Sequence, residues 1–457
     1  MKSLLEVLEE NNRIPMHMPG HKRNLELAQY LRRLAADLDI TEIDGFDDLH
    51  NPEGILLKSM QVAARLRGAD MAFYLVNGST CGILAGICAV ISKGDRVICA
   101  RNCHKAVYNA LELAEAEVIF VKPDEKLGIC GEISAEKIKA NLSENPDVKL
   151  IILTSPTYEG VVSDVREVCR LAHEKDVPVM VDAAHGAHFG FGGGFPESAA
   201  TCGADIVIES LHKTLPSLTQ TAACYLSGNL VDFSAVQEKL AMFETSSPSY
   251  LLMASIDGCM RLLDEKSEVL FDNWRNILDN FYEKARLFKN IKVFENDGDF
   301  FGFDRSKILI FGEGQKIAGH LRKCNIECEM TMPGYVVLMT GLGDTAENLD
   351  RLFEALSELD RSVCEKQLIK LPDVDLPERV FDITDAKKMP AEYAEYEKAA
   401  GRISAEYVWA YPPGIPLIIP GEKVSLELTR LFKAYERCGF TLKGGSKRKA
   451  GKILVIK

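Results

Sequence analysis

The segment PVMVDAAHGAHFG places Asp182 directly after an apolar run, and IVIESLHKTLPS does the same for Ser210, His212 and Lys213. If the two runs are neighbouring strands, an acid and a primary amine emerge together at the carboxyl edge of one sheet, where α/β folds bind ligands. That pair has the residue types required by pyridoxal phosphate (PLP). The amine holds the aldehyde as a Schiff base, and the acid keeps the pyridine nitrogen protonated so that the ring is an electron sink. Taken singly, Asp182 reads better as a turn or cap residue and Lys213 as a surface lysine ahead of a helix. Their order behind two strands favours chemistry.

Other segments supply companions. YLVNGSTCGILAG reads as a strand, then Asn77, Gly78, Ser79 and Thr80, then a helix. Amides and hydroxyls at a helix start make an anion site suited to a phosphate, although Ser79 and Thr80 are also ordinary capping types. Ser210 and His212 can complete that cradle. In VICARNCHKAVYNAL, His104 follows a strand and opens a helix; its flat ring suits stacking on a pyridine face, and equally a capping or core role. His185, three residues past Asp182, reaches toward the same side, and TSPTYEG offers Thr157 and Tyr158 at a further strand end.

The elements that must position these residues follow from the apolar pattern. From about residue 70, the runs AFYLV, RVICA, EVIFV, KLIILT, VPVMVDA, ADIVIES and AACYLS recur, separated by helical patterns such as CGILAGICAVIS and VREVCRLAHEKD. This alternation predicts an α/β fold with a mainly parallel sheet covered by helices. ELAQYLRRLAADL over 26–38 predicts an amphipathic helix, and TEIDGFDDLHNPEG an acidic loop. After about residue 270 the pattern becomes α+β, with KVFE, KILIF, the helical QKIAGHLRKC, ECEM and YVVLM, then a helix in DTAENLDRLFEALSELD. AYPPGIPLIIPGE reads as rigid loop and edge structure, and the closing LKGGSKRKAGKILVIK as a solvated turn and terminal strand. The expected organisation is an N-terminal segment over 1–50, a large PLP-binding domain over 51–275, a small α+β domain over 276–372 and a C-terminal domain over 373–457.

Composition narrows the partners. A formal net charge of -13 gives no general attraction to nucleic acid or anionic membrane, so a small molecule is the expected partner. The 13 cysteines lack a paired framework, which points to a reducing cytoplasm. The pairs Cys99 with Cys103 and Cys324 with Cys328 lack the usual zinc spacing and read as buried thiols. No secretory signal is visible in MKSLLEVLEENNRIP, and the longest apolar runs are about half of the ~20 residues that span a bilayer.

In this order along nearly the whole chain, PMHMPGHKR, TEIDGFDDLHNPEG, NGSTCG, RNCHKAV, TSPTYEG, DAAHGAHFG, ESLHKTLPSLTQ and YPPGIPLIIPGE resemble the ornithine/lysine/arginine decarboxylase family of fold type I PLP enzymes. The most specific part is Ser-x-His-Lys at 210–213 with Asp-x-x-His-x-x-His at 182–188 upstream. The resemblance implies an aspartate-aminotransferase-like fold with a decarboxylase-type C-terminal domain. It implies that Lys213 carries PLP, Asp182 pairs with the pyridinium, His104 stacks on the ring, Ser79, Thr80, Ser210 and His212 hold phosphate, and His185 lies beside the cofactor. The implied reaction is exchange of the lysine for the substrate amine, loss of the α-carboxylate and protonation of the α-carbon, giving a diamine or agmatine. A cationic substrate side chain then needs an anionic partner, for which Asp44, Asp47, Asp48 and Glu53 are candidates. The motifs look like the short bacterial branch, without the regulatory domain of the large inducible members, and imply a homodimer or higher homo-oligomer.

Rival readings use some of the same residues. An aminotransferase or lyase on this fold shares Lys213 and Asp182. A metal hydrolase would instead be built on Asp182, His185 and His188, which leaves Ser210, His212 and Lys213 without a role. A non-catalytic paralogue is the third.

Overall fold

The computed structural model describes residues 2–10, 35–362, 371–372, 374–410, 414–445 and 449–457. The motif PMHMPGHKR, most of the helix expected over 26–38 and the first prolines of AYPPGIPLIIPGE lie outside them. The chain divides into two compact units. One comprises Met1–Ile91, Val165–Asn273 and Gly341–Gly343, the other Ser92–Asp164, Trp274–Thr340 and Asp344–Lys457.

In the first unit the strands lie in the order Met71–Leu75, Ala222–Leu226, Ile206–Glu209, Val179–Asp182. The last two pair in parallel with Asp182 opposite Ile208, whereas Ala222–Leu226 runs antiparallel to both its neighbours. Every residue of Val179–Asp182 and Ile206–Glu209 is buried. Burial on both faces is why these strands read as continuous apolar runs without alternation.

The helix Gly78–Val90 lies on this sheet through Gly82 and Gly86. A Cβ on Gly82 would sit 2.5 Å from Leu75 Cδ1 and 3.1 Å from Ile208 Cδ1, and one on Gly86 would sit 3.2 Å from Ile206 Cγ2 and 3.3 Å from Met180 Cε. The two glycines, four residues apart, share one helix face. Their small size lets the backbone settle against three strands, which fixes where the helix N-terminus falls.

The second unit contains a parallel sheet in the order Val148–Thr154, Arg96–Ala100, Glu117–Val121. An antiparallel sheet of Lys292–Val293, Lys307–Phe311, Tyr335–Met339 and Met330–Met332 is the expected α+β region, flanked by the helices Gly314–Lys323 and Ala346–Ser362. Toward the C-terminus, Ile415–Ile418 is an edge strand paired with Val408–Ala410, and Lys452–Ile456 is a terminal strand paired with Ala391–Glu395. These pack with the helix Leu426–Arg437 around their own apolar cluster, including Val408, Phe432 and Val455. The residue expected to end the large domain, 275, falls inside one uninterrupted helix, Tyr250–Ala285. Among the described residues no helix is long and apolar enough to cross a membrane.

Cys99 and Cys103 are fully buried with their sulfurs 3.9 Å apart, as expected of packed thiols. Cys324 and Cys328 are only half-buried, because they lie at and just past the C-cap of the helix Gly314–Lys323, among the exposed residues Lys323, Asn325 and Glu327.

Replacing Gly86 by leucine inserts a side chain where Ile206 and Met180 already touch the helix. We expect Gly86→Leu to lose about 1–3 kcal/mol by overpacking, despite the better helix propensity of leucine. A urea midpoint unchanged from wild type would show that the helix does not rest on this glycine.

Candidate active site

Both arms of the site spring from the parallel strand pair. Val179–Asp182 ends on Asp182, and the chain continues through the buried residues Ala183, Ala184 and His185. Ile206–Glu209 ends one residue before Ser210, which opens the single-turn helix Leu211–Thr214 carrying His212 and Lys213. Across the two arms, Lys213 Nζ lies 2.9 Å from His185 Nε2. Asp182 accepts a 3.2 Å hydrogen bond from the Ala184 amide. Burial pushes its carboxyl above the usual range, while the Lys213 ammonium and that amide pull it back in part.

The third wall is the N-terminus of Gly78–Val90. Asn77 occupies the cap position but makes no side-chain capping bond, so the first-turn amides have no side-chain partner from the cap. Gly78 takes φ +74, a left-handed conformation suited to glycine. Ser79 Oγ and Ser210 Oγ are 2.5 Å apart, which joins this helix start to the start of the Lys213 helix. Ser210 also makes no side-chain capping bond. His212 Nδ1 is 2.9 Å from the Thr221 carbonyl. An Nδ1–H donor there directs the other ring nitrogen elsewhere. Thr80, next to Ser79, is exposed.

Thus Ser79, Asp182, His185, Ser210, His212 and Lys213 gather within the first unit, with Thr80 beside Ser79. His104, Thr157 and Tyr158 belong to the second unit. His104 caps the helix Lys105–Leu113, its Nδ1 accepting from the Ala106 amide at 3.3 Å. Thr157 Oγ1 accepts from the Val161 amide at 3.1 Å, and the Tyr158 hydroxyl donates to Glu329. Among the described residues, the donor atoms of Asp182, His185 and His188 do not gather as a metal site requires. Instead the His188 ring packs edge-on between Phe189 and Phe195, with centroids 4.8 and 5.0 Å away. In the acidic loop, Asp47 is committed to its own backbone. Its carboxylate accepts from the amides of Asp48, Glu53, Gly54 and Leu56 at 2.7–3.1 Å. Burial alone would raise that carboxyl, but the four donors outweigh it and hold it below the usual range.

Two supports have no signature in the sequence. Arg67, the last residue of the helix Ile55–Arg67, is 1% exposed and forms an ion pair with Glu209, itself 1% exposed. The same guanidinium donates to the Phe189 carbonyl and, at 3.1 Å, to Ser198 Oγ. It therefore ties the chain beyond Asp182 to the strand that precedes Ser210. Burial pushes the Glu209 carboxyl upward, and Arg67 pulls it back in part. Gln220 adopts φ +87, rare for a side chain other than glycine, and its amide donates to the Val76 carbonyl beneath the Asn77–Thr80 turn.

The major-domain model of the Orn/Lys/Arg decarboxylase family matches residues 3–309, and its C-terminal-domain model matches 376–447. The chain belongs to this family. An arginine decarboxylase of Bacillus subtilis (strain 168) is 34% identical across 97% of this chain and 95% of that protein. The constitutive lysine decarboxylase of Escherichia coli (strain K12) is 25% identical across 86% of this chain and 69% of its own length. The crystal structure of the Francisella novicida lysine decarboxylase has the same fold, with TM-score 0.85 at 19% identity over 99% of this chain and 81% of that one. Membership in the Orn/Lys/Arg decarboxylase family makes the chain an amino-acid decarboxylase of the basic-substrate class, on the fold expected from its motifs.

Removing Arg67 while keeping Glu209 leaves a buried carboxylate without its cation. We expect Arg67→Met to cost about 3–5 kcal/mol, and the double variant with Glu209→Gln to recover much of it. With its pKa raised in the folded state, Glu209 contributes stability while protonated and loses it as pH rises. The single-variant penalty therefore grows from mildly acidic to mildly alkaline pH in thermal unfolding. A penalty equal in both variants and flat with pH would contradict this role.

Proposed function

We propose that the chain binds PLP in the first-unit site, with Lys213 as its covalent anchor, and releases carbon dioxide from a basic amino acid, arginine first. The observation that carries this reading is the convergence of Lys213, His185 and Asp182 at one sheet edge beside an uncapped helix N-terminus. Arginine is supported by the 34%-identical relative, which aligns with this chain over nearly its full length.

The donor set fits that cofactor. Asp182, buried and holding one backbone hydrogen bond, suits a protonated ring nitrogen, whose charge would offset the burial cost. The amides of the Gly78–Val90 N-terminus, together with Ser79, Thr80, Ser210 and His212, suit the phosphate. His104 is assigned to stack on the ring, which rests on the sequence motifs. Bound there, PLP supplies the sink for the electron pair left when the α-carboxylate departs.

The chain's own residues do the remainder. His185 Nε2, at 2.9 Å, orients Lys213 Nζ and can hold the proton that the amine must lose to act as a nucleophile. When not holding the cofactor, Lys213 would be placed to carry a proton, with His185 Nε2 beside it. The Arg67 clamp keeps the two arms in register, so that neither amine nor imidazole has to be repositioned during turnover. The reading includes a homodimer or higher homo-oligomer, supported by the family resemblance of the motifs, and a cytoplasmic location, supported by 13 cysteines without a paired framework in the sequence.

Incubation of the purified enzyme and PLP with arginine, lysine and ornithine separately, with carbon dioxide measured, tests the proposal. We expect gas from arginine above the others, turnover reduced by at least about 1,000-fold in Lys213→Ala, and residual PLP binding with little turnover in Asp182→Ala. Wild-type turnover retained by Lys213→Ala would refute the assignment. Consumption of a keto acid without gas would assign an aminotransferase.

A further inference from the structure

In the second unit, the helices Gly314–Lys323 and Ala346–Ser362 bring together an imidazole, a thiol and a carboxylate. His320 and Cys324 stand four residues apart and so share a helix face, and Glu358 faces them from the second helix; one donor atom from each lies within 4.8 Å of the others.

We propose that His320, Cys324 and Glu358 form a binding site for a borderline-soft divalent cation, Zn²⁺ being the chemical type. The donor set is nitrogen, sulfur and oxygen, the ligands that zinc takes in tetrahedral sites. Bonds of about 2.3 Å to sulfur and 2.0–2.1 Å to nitrogen at a tetrahedral angle place those two donors about 3.6 Å apart. Cys324 Sγ and His320 Nε2 are 3.8 Å apart. Glu358 is exposed and makes no hydrogen bond or ion pair among the described residues, so its carboxylate can close the remaining gap by a rotamer change.

Two features of the surroundings suit a cation. Cys324 is the C-cap of its helix, where the negative end of the helix dipole lies. The Ala355 carbonyl oxygen is 2.8 Å from His320 Nε2, one helical turn before Glu358. Binding replaces that hydrogen bond by the metal bond and moves the ring proton to Nδ1, while the Cys324 thiol proton goes to solvent. A thiolate and a carboxylate then neutralise the two charges of the ion. The remaining position takes water or the Ala355 carbonyl. An ion held this way staples the two helices to each other.

The experiment is equilibrium dialysis of the full-length enzyme against Zn²⁺ after chelator treatment, with bound metal measured by elemental analysis and the melting temperature recorded with and without metal. We expect wild type to bind one equivalent more zinc than Cys324→Ser or His320→Gln, and zinc to raise the melting temperature of wild type only. Glu358→Gln alters an exposed side chain and so keeps the test independent of folding. It should weaken binding by more than the roughly 10–100-fold that an outer-sphere partner costs. Equal zinc content in wild type and all three variants, or a zinc effect on melting common to all, would overturn the proposal.

Discussion

The parallel pairing of Val179–Asp182 with Ile206–Glu209 is the constraint on which the site depends. Two parallel strands end at the same sheet edge, so Asp182 and the Ser210–Lys213 segment emerge side by side, fixed by the register of Asp182 opposite Ile208. A slip of one residue would turn Asp182 to the other face of the sheet. The connection is unusual in carrying no long helix. Residues 183–205 return through turns, so their backbone groups need partners that a crossover helix would supply internally. Arg67 provides one by donating to the Phe189 carbonyl, and Gly190 and Pro196 provide another through a 2.8 Å backbone bond. The buried cation is thus part of how a parallel pair is joined by a loop.

Polar groups at this edge are held at a cost that only partners offset. Asp182 and Glu209 are both driven upward by burial and both drawn back by a neighbouring cation, Lys213 in one case and Arg67 in the other. The difference is positional. The Glu209 pair is enclosed by protein and structural, whereas Lys213 is half-buried beside an uncapped helix start, where a ligand can reach it.

The strands and the site edge were legible because fully buried strands write themselves as unbroken apolar runs, and the polar residue that ends each run marks the edge. VPVMVDA and ADIVIES contain the strands Val179–Asp182 and Ile206–Glu209, with Asp182 ending the first and Ser210 following the second. Arg67 was not legible. Arg65 and Arg67 both lie in the last turn of the helix Ile55–Arg67, yet Arg65 pairs with Asp264 at the surface while Arg67 is enclosed. Nothing local distinguishes them, since only the arrival of Glu209, distant in sequence, decides. The acidic loop offered four carboxylates of equal appearance, and the amides that claim Asp47 come from residues up to nine positions away. The change of pattern near 270 was real in composition but fell within a helix, because a long amphipathic helix changes its packing partners without breaking its period.

The central claim is that Lys213, among all lysines of the chain, holds the cofactor. Borohydride reduction of the purified enzyme with PLP, followed by peptide mass mapping, tests it most directly. The account predicts one stable pyridoxyl adduct, on the peptide containing Ser210, His212 and Lys213. An adduct confined to another lysine, or none at all, would contradict it.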